Sequence, residues 1–422
     1  MRAITRAMRV WRELSIAPEP LEVARRVADR PGVALLYTAS GAGPSYVMCD
    51  PVGCASGLDP EPDLALAATP EPFAHVPRWL GVLPYESRRF LERKARRETR
   101  PEPFACAPRW WRYAAVAEIG ERVVVVGDDA PSATALAALL ERPARSSEVR
   151  GELRPAEARG LHVARVQRAL EYIRAGELYQ VNLARLQRLA LQGHALDVLA
   201  RLCARAPAPY AAALCTPDYD VIGTSPELFL RLEPDRRLST APIKGTRPRG
   251  RDAAEDVRLI AALEHDAKER AELTMIIDVE RNDLGRVAEV GSVRVSEGPH
   301  VSTYGSVHHR WAKLEARLRP GVSRSALLEA LLPSGSVTGA PKLRAMEIIA
   351  ELEAHRRGLY TGAYGFLSHA GGLELGMAIR TLCRREGEAE YFAGGGIVAD
   401  SDPLREYEET HWKAVQLAAL LG

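Results

Sequence analysis

Long apolar runs are missing from this 422-residue chain. No stretch approaches the about 18 consecutive apolar residues of a membrane-spanning helix, so no membrane span is expected. An excess of one charge is missing too. The 57 Lys and Arg against 55 Asp and Glu leave +2, too little to draw in nucleic acid or an anionic membrane surface. Cysteine is sparse: Cys49, Cys54, Cys106, Cys203, Cys215 and Cys383 form no CxxC pair and have no histidine at zinc spacing. They read as small buried hydrophobes of a reducing compartment, which points to the cytoplasm. No GxGxxG opens a strand–helix unit, which argues against dinucleotide binding. The stretch PSGSVTGAPK (333–342) superficially resembles a phosphate loop, but it lacks the GK[ST] ending and a proline precedes its lysine. The N-terminus, MRAITRAMRVWRELSIAPEP, alternates arginine with apolar residues and lacks the unbroken core of a secretion signal.

What is present is a chain with 46% apolar residues, long enough for at least one large core and for about two or three domains. The first part is rich in short strand-like runs, GVALLYTA, YVMCD, WLGVLPY, YAAVAEI and RVVVVGDD, separated by proline-rich turns such as DPEPDLALAATPEPF. A polar stretch over 141–160 suggests a linker, dividing the chain into an N-terminal subdomain (1–150) and a larger region (151–422). Val163, Val166, Leu170 and Ile173 mark a helix face, with Gly176 placed as its cap. Strands dominate from Leu178 to Gly250 and helix from Asp256 to Val279. Helices are expected near 325–332, near 342–353 and from Pro403 to the end. Strands clustered with strands predict an α+β fold.

Three stretches carry chemistry. In VIGTSPELFLRLEPDRRLSTAPIKG, two strand-like runs flank the turn EPDRR. A hairpin folded symmetrically about Pro234–Arg237 sets Glu227 across from Lys244. That pair is either an ordinary cross-strand ion pair or an acid and a nucleophile facing one substrate. In HDAKERAELTMIIDVERND, Glu269 and Glu272 share a helix face. In DSDPLREYEETHWKAVQL, Asp402 is a natural N-cap and Pro403 a natural first helical residue, and Glu406, Glu409 and Lys413 form one stripe. Each acidic set alone is an ordinary solvated face. If the two helices face each other, four carboxylates need a cation, and oxygen ligands without His or Cys favour magnesium over zinc. The glycines of AGGGIVADSDP expose backbone N–H groups just before the last helix, a setting for a small carboxylate.

YQVNLAR, GTSPELFL, PIKGTRPRG, KERAE, RNDLGRV, PSGSVTGAPK, AIRT, GGGIVADSDP and EYEET appear in the order found in chorismate-utilising enzymes, which the chain resembles strongly from about 160 to 420 and more loosely before 145. The family includes anthranilate synthase component I, aminodeoxychorismate synthase component I, and the isochorismate and salicylate synthases. Its fold implies two large antiparallel β-sheets packed together with helices outside. Members that add water carry a lysine where this chain has Gln180, and a glutamine cannot act as a general base at neutral pH. At Lys244 anthranilate synthases typically show a small residue, as in PIAGT, and the lysine of PIKGT resembles the aminodeoxychorismate synthases.

The resemblance implies chorismate and ammonia as substrates, with 4-amino-4-deoxychorismate, the precursor of p-aminobenzoate and folate, as product. The Lys244 amine adds at ring carbon 2 while the 4-hydroxyl leaves, and ammonia then displaces it, so that one hard step becomes two easier ones. An amine must be uncharged to attack, which desolvation and a cation such as Arg247 favour. Glu227 protonates the departing hydroxyl. By motif position Glu269, Glu272, Glu406 and Glu409 ring Mg²⁺. Tyr360, Arg380, Lys413 and the amides of Gly394, Gly395 and Gly396 hold carboxylates. Thr246 and Thr338 position the substrate, and His309, with His308 as competitor, lies near the ring hydroxyl. Ammonia is expected from a glutamine amidotransferase subunit in trans. The segment LLYTAS departs from the LLES-like pattern with which related anthranilate enzymes hold tryptophan.

Overall fold

The computed structural model describes residues 9–421 apart from 42, 67–71, 91–99, 156 and 304–306. The first eight residues, on which part of the secretion-signal reading falls, lie outside the described residues, as does part of the proline-rich turn at 59–73.

Alternating apolar residues build two antiparallel sheets. Among the described residues a 12-stranded sheet runs, edge to edge, through Val10–Leu14, Val123–Gly127, Ala115–Ile119, Ser45–Met48, Ala34–Tyr37, Tyr210–Cys215, Asp220–Ser225, Thr381–Arg385, Glu388–Ile397, Gln180–Gln192 and Gly339–Ala340, with Arg150–Leu153 paired to Gln180–Gln192 as its twelfth strand. Among the described residues a 10-stranded sheet runs through Ile243–Pro248, Val307–Arg317, Arg237–Ala241, Leu228–Leu232, Leu373–Met377, Ala363–Ser368, Pro77–Leu83, Arg109–Arg112 and Gly53–Ser56, with Arg294–Thr303 paired to Val307–Arg317 as its tenth strand. Their inner faces meet through Met48, Val82, Val126, Ala212, Tyr364 and Phe366. Helices cover the outer faces. Ala195–Arg205 buries Leu196, Leu199 and Leu202 against the first sheet, and Ala267–Gly285 buries Leu273, Ile277 and Leu284 against the second. This is the α+β architecture of two packed antiparallel sheets that the resemblance implies. Among the described residues no helix is long and apolar enough to cross a membrane.

Strands from 1–150 enter both sheets. Ala34–Leu36 in Ala34–Tyr37 pair with Ala212–Leu214 in Tyr210–Cys215, and Trp79–Leu83 pair with Ala363–Leu367. The polar stretch expected to be a linker contributes a strand, Arg150–Leu153, which pairs with Leu189–Gln192. The single helix expected over 256–279 is two, Ala253–His265 and Ala267–Gly285. Asp266 breaks it, because its extended backbone (ψ 110°) lets its carboxylate cap the N–H of Glu269. The helix Arg159–Arg174 ends as its spacing predicts, with Gly176 in the left-handed region (φ +77°).

Twice the chain crosses from one sheet to the other at the same place. It leaves Asp220–Ser225 and enters Leu228–Leu232, and it leaves Leu373–Met377 and enters Thr381–Arg385. The two crossovers are stitched together by the Met377 N–H donating to Glu227 O at 2.9 Å and the Thr224 N–H donating to Arg380 O at 3.1 Å. Glu227 and Arg380 sit at these crossings, where neither sheet's ladder continues.

Candidate active site

Glu227 is buried, 4% exposed. Burial pushes its carboxyl up to about 7 against the opposing pull of the Ser336 hydroxyl, which donates to Oε1 at 3.0 Å, and of the Lys244 charge. The backbone N–H of Ile243 also donates to it. The symmetric hairpin register does not hold. Leu232 pairs with Leu238 and Arg231 with Ser239, but the register then shifts and Leu228 pairs with Ala241. A bulge carries the chain past the hairpin, so Lys244 lies in the next strand, Ile243–Pro248, beside Val307–Arg317.

Lys244 is half-buried. Among the described residues no carboxylate forms an ion pair with it and nothing accepts its hydrogen bonds. Its charge nonetheless acts on Glu227, Glu272 and Glu409. Arg247 does not reinforce it from alongside, because its guanidinium is taken by Asp266 at 3.0 Å and Glu269 at 3.4 Å.

The two acidic helices do face each other. Lys268 lies 3.8 Å from both Glu272 and Glu406, bridging Ala267–Gly285 to Pro403–Ala414. Burial raises the Glu272 carboxyl, with Glu269 and Glu409 adding like charge. Burial also raises Glu406, which accepts from the Ser401 hydroxyl at 2.6 Å. At Glu409 burial is outweighed by Lys413, Lys268 and Lys244, which leave the carboxyl below its usual range. Gly395 makes room for this cluster: a Cβ there would lie 3.2 Å from Glu406 Oε2 and from Glu409 Oε1. Among the described residues no three His, Cys, Asp or Glu side chains stand close enough to hold a metal ion unaided. The donors nevertheless fit magnesium: mutually repelling oxygen ligands on two facing helices leave coordination positions for water and an anionic substrate.

The remaining predicted residues fall around this centre. His309 is 2% exposed, and its Nδ1 shares a hydrogen bond of 2.8 Å with Thr246 Oγ1 across the paired strands. Burial, with Arg380 beside it, pushes its imidazole down to about 3, so it is neutral. The competitor His308 points to the other face of the strand, where it bonds Thr303 and, at 2.9 Å, Asp256. Arg310, on that same face, caps the carbonyls of Leu263 and Glu264. Arg380 is held at φ +51°, and its guanidinium has no hydrogen-bond partner among the described residues. Burial lowers its pKa while Tyr391 and Glu227 counteract. Tyr360 stacks on Phe392 with ring centroids 5.3 Å apart. Burial raises its phenol, and the Glu409 charge adds to this. The Lys413 ammonium donates to Gly394 O at 2.9 Å and pairs with Glu409 at 2.6 Å. Gly394, Gly395 and Gly396 pair with Ala184, Leu183 and Asn182 on one side. On the other, the register with Thr381–Arg385 ends at Tyr391. Thr338 is fully buried and its hydroxyl donates to Ser334 O at 2.8 Å, so that group is committed to the loop. Gln180 packs its buried carboxamide against Gly396, and among the described residues neither Oε1 nor Nε2 has a hydrogen-bond partner.

Sequence reasoning passed over Lys268, Ser334, Ser336 and Glu280. All four lie inside quoted motifs, and Glu280 follows Glu272 by a little over two helical turns, the signal that could have found it. Beneath LLYTAS a separate cavity is lined by Leu36, Tyr37, Tyr210, Tyr364 and Glu374.

Residues 56–419 match the profile of the family described as chorismate binding enzyme. Anthranilate synthase component 1 of Thermus thermophilus is 45% identical over 257 residues, 61% of this chain and 55% of its own length. Aminodeoxychorismate synthase component 1 of Bacillus subtilis is 42% identical over 256 residues, 61% of this chain and 54% of its own. The matched region thus spans about half the length of these curated relatives. The crystal structure of anthranilate synthase component I from Streptococcus pneumoniae TIGR4 superposes with a TM-score of 0.77 at 28% identity, covering 90% of this chain and 92% of that one. With its two packed sheets, its crossover acid and arginine, and the profile match over most of its length, the chain belongs to the chorismate binding enzyme family.

Proposed function

We propose that the chain is an aminodeoxychorismate synthase component I, converting chorismate and ammonia to 4-amino-4-deoxychorismate. The observation that carries this reading is Lys244: an amine on a strand end, without an ion pair among the described residues, opposite a buried acid. In the proposed reaction Glu227, protonated up to about pH 7, gives its proton to the departing 4-hydroxyl, which leaves as water with its bonding electrons. The Lys244 nitrogen forms the bond to ring carbon 2 and loses a proton as the ring double bonds shift and the bond to the 4-oxygen breaks. Ammonia later bonds to carbon 4, the double bonds shift back, the bond from carbon 2 to the Lys244 nitrogen breaks, and the proton lost by the incoming nitrogen returns to the lysine. Arg380 and Lys413 bind carboxylates, and Tyr360 shapes the wall beside them. Glu269, Glu272, Glu406 and Glu409 would hold magnesium, directly or through water. The ion supplies positive charge to the ring carboxylate. Gln180 has no basic site for activating water, which supports amination over hydration. A separate glutamine amidotransferase is the proposed ammonia source, for which free ammonium substitutes in vitro.

The second reading is anthranilate synthase component I, which the likeness to the Thermus and Streptococcus proteins favours. Incubation with chorismate, Mg²⁺ and ammonium separates the two. The expected product becomes p-aminobenzoate only after a lyase is added. Fluorescent anthranilate formed without lyase would overturn the assignment.

A further inference from the structure

Behind Glu227 runs a buried polar chain that the reaction above does not use. The Ser336 hydroxyl meets Glu227 Oε1 at 3.0 Å, the Ser336 and Ser334 hydroxyls are 2.9 Å apart, and Ser334 Oγ meets Glu280 Oε1 in a short hydrogen bond. All four residues are 4% exposed or less. The loop carrying the serines lies flat on the helix carrying Glu280, because Gly335 has no Cβ: one there would stand 2.1 Å from Val279 Cγ1.

Counting protons decides what the chain can do. It has three links, and two hydroxyls supply only two protons. A third proton, on one of the carboxyls, completes it in either of two directions: from Glu227 through Ser336 and Ser334 to an ionised Glu280, or the reverse. We propose that Glu227 and Glu280 share one proton through Ser336 and Ser334, making Glu280 the positioning residue that keeps the acid loaded. The inference rests on the reading of Glu227 as that acid. Reversing every hydrogen bond moves the proton from one carboxyl to the other without breaking a link. When Glu227 protonates the leaving hydroxyl, both carboxyls are left ionised and one link is lost. The proton shed by the newly bonded amine nitrogen restores it.

The surroundings agree. Lys244 and Arg380 face Glu227 from their own strand and crossover, and Glu280 faces it from the helix. Glu280 in turn faces Asp283 on its own helix and Lys342 at the start of Lys342–Leu352, and these two form an ion pair. Burial pushes both Glu227 and Glu280 up to about 7.

The test compares wild type, Glu280→Gln and Ser336→Ala by the pH profile of kcat at constant free ammonia. A second arm follows the infrared band of un-ionised carboxyl in the free proteins. Glu280→Gln removes the like charge and lets the chain close with Glu227 ionised, so the basic limb and the band shift down by about one pH unit, a tenfold loss of kcat above the limb. Ser336→Ala removes the donor that favours ionised Glu227, so both shift up. Equal titration in all three proteins, or shifts in the same direction, overturns the proposal. If Glu280→Gln fails to fold, Ser334→Ala replaces it and must shift the band relative to wild type. A wild type without turnover sinks the proposed function, while the infrared arm still decides the shared proton.

Discussion

At the residue scale the division of labour lies in two side chains whose surroundings differ. Glu227 is sealed between the sheets, and burial keeps it protonated to about pH 7. Lys244 is half-buried and faces three carboxyls without closing onto any of them. Glu227→Gln is expected to lower kcat by about 10²–10⁴-fold. In the wild type kcat is expected to fall as pH rises through about 7, because the proposed reaction requires the acid form of Glu227. Lys244→Ala is expected to lose most activity or to release anthranilate instead. Steady-state rates with product chromatography check both, and an unchanged rate and product from Lys244→Ala would contradict the covalent step. These two residues could be singled out in the sequence because their motifs, GTSPE and PIKGT, are contiguous. Ser336 and Glu280 were not read as partners, because 56 positions separate them and nothing in either motif says that a loop will lie on that helix.

At the element scale, helix and strand periodicity told which residues share a face but not where an element breaks or pairs. Glu269 with Glu272, and Glu406 with Glu409, could be placed on single faces from spacing alone, whereas their meeting is a tertiary fact. The hairpin register failed for a related reason: the pairing is already one residue off at the turn, Leu232 with Leu238, and a bulge between Leu228 and Arg231 shifts it again, and neither has a signature in the alternation of side chains. The helix Ala195–Arg205 did carry a signal, Leu196, Leu199, Leu202 and Cys203 at helical spacing, that the surrounding strands obscured. The facing acidic helices require a bare backbone at Gly395. Gly395→Ala puts a methyl 3.2 Å from two carboxylate oxygens, which must then give way. The apparent affinity for Mg²⁺, read from the metal dependence of turnover, is expected to fall about tenfold, roughly 1.4 kcal/mol, with little change in melting temperature. Full activity at the wild-type Mg²⁺ requirement would show that the acids at this point do not hold the ion.

At the scale of the whole molecule, the active centre exists because two sheets are interleaved by strands far apart in sequence. Ala34–Tyr37 joins Tyr210–Cys215, and Pro77–Leu83 joins Ala363–Ser368. Alternation fixes faces, not neighbours, so this order was beyond a reading of the chain alone. One buried cation ties the layers beside the site. Arg357 donates to Glu353 at 2.6 Å and 2.9 Å, to Asn182 O at 2.8 Å and to Val337 O at 3.0 Å, and lies over the rings of Tyr85 and Tyr360. Burial works against its charge, but Glu353 outweighs it and raises the guanidinium pKa. Glu353 meanwhile accepts from the Ala184 N–H at 2.9 Å, so the pair bridges the helix Lys342–Leu352, the long strand Gln180–Gln192 and the loop that carries Ser336. Arg357→Met leaves the carboxylate without its cation, and two carbonyls without the guanidinium, in a dry interior. The expected loss is about 3–5 kcal/mol of stability, the cost of breaking a buried ion pair from one side. Arg357→Met combined with Glu353→Gln removes the stranded charge and is expected to recover part of it. Urea unfolding of the wild type, both single variants and the double variant measures this directly. Additive losses would show that the two side chains act independently and that the tie between layers lies elsewhere.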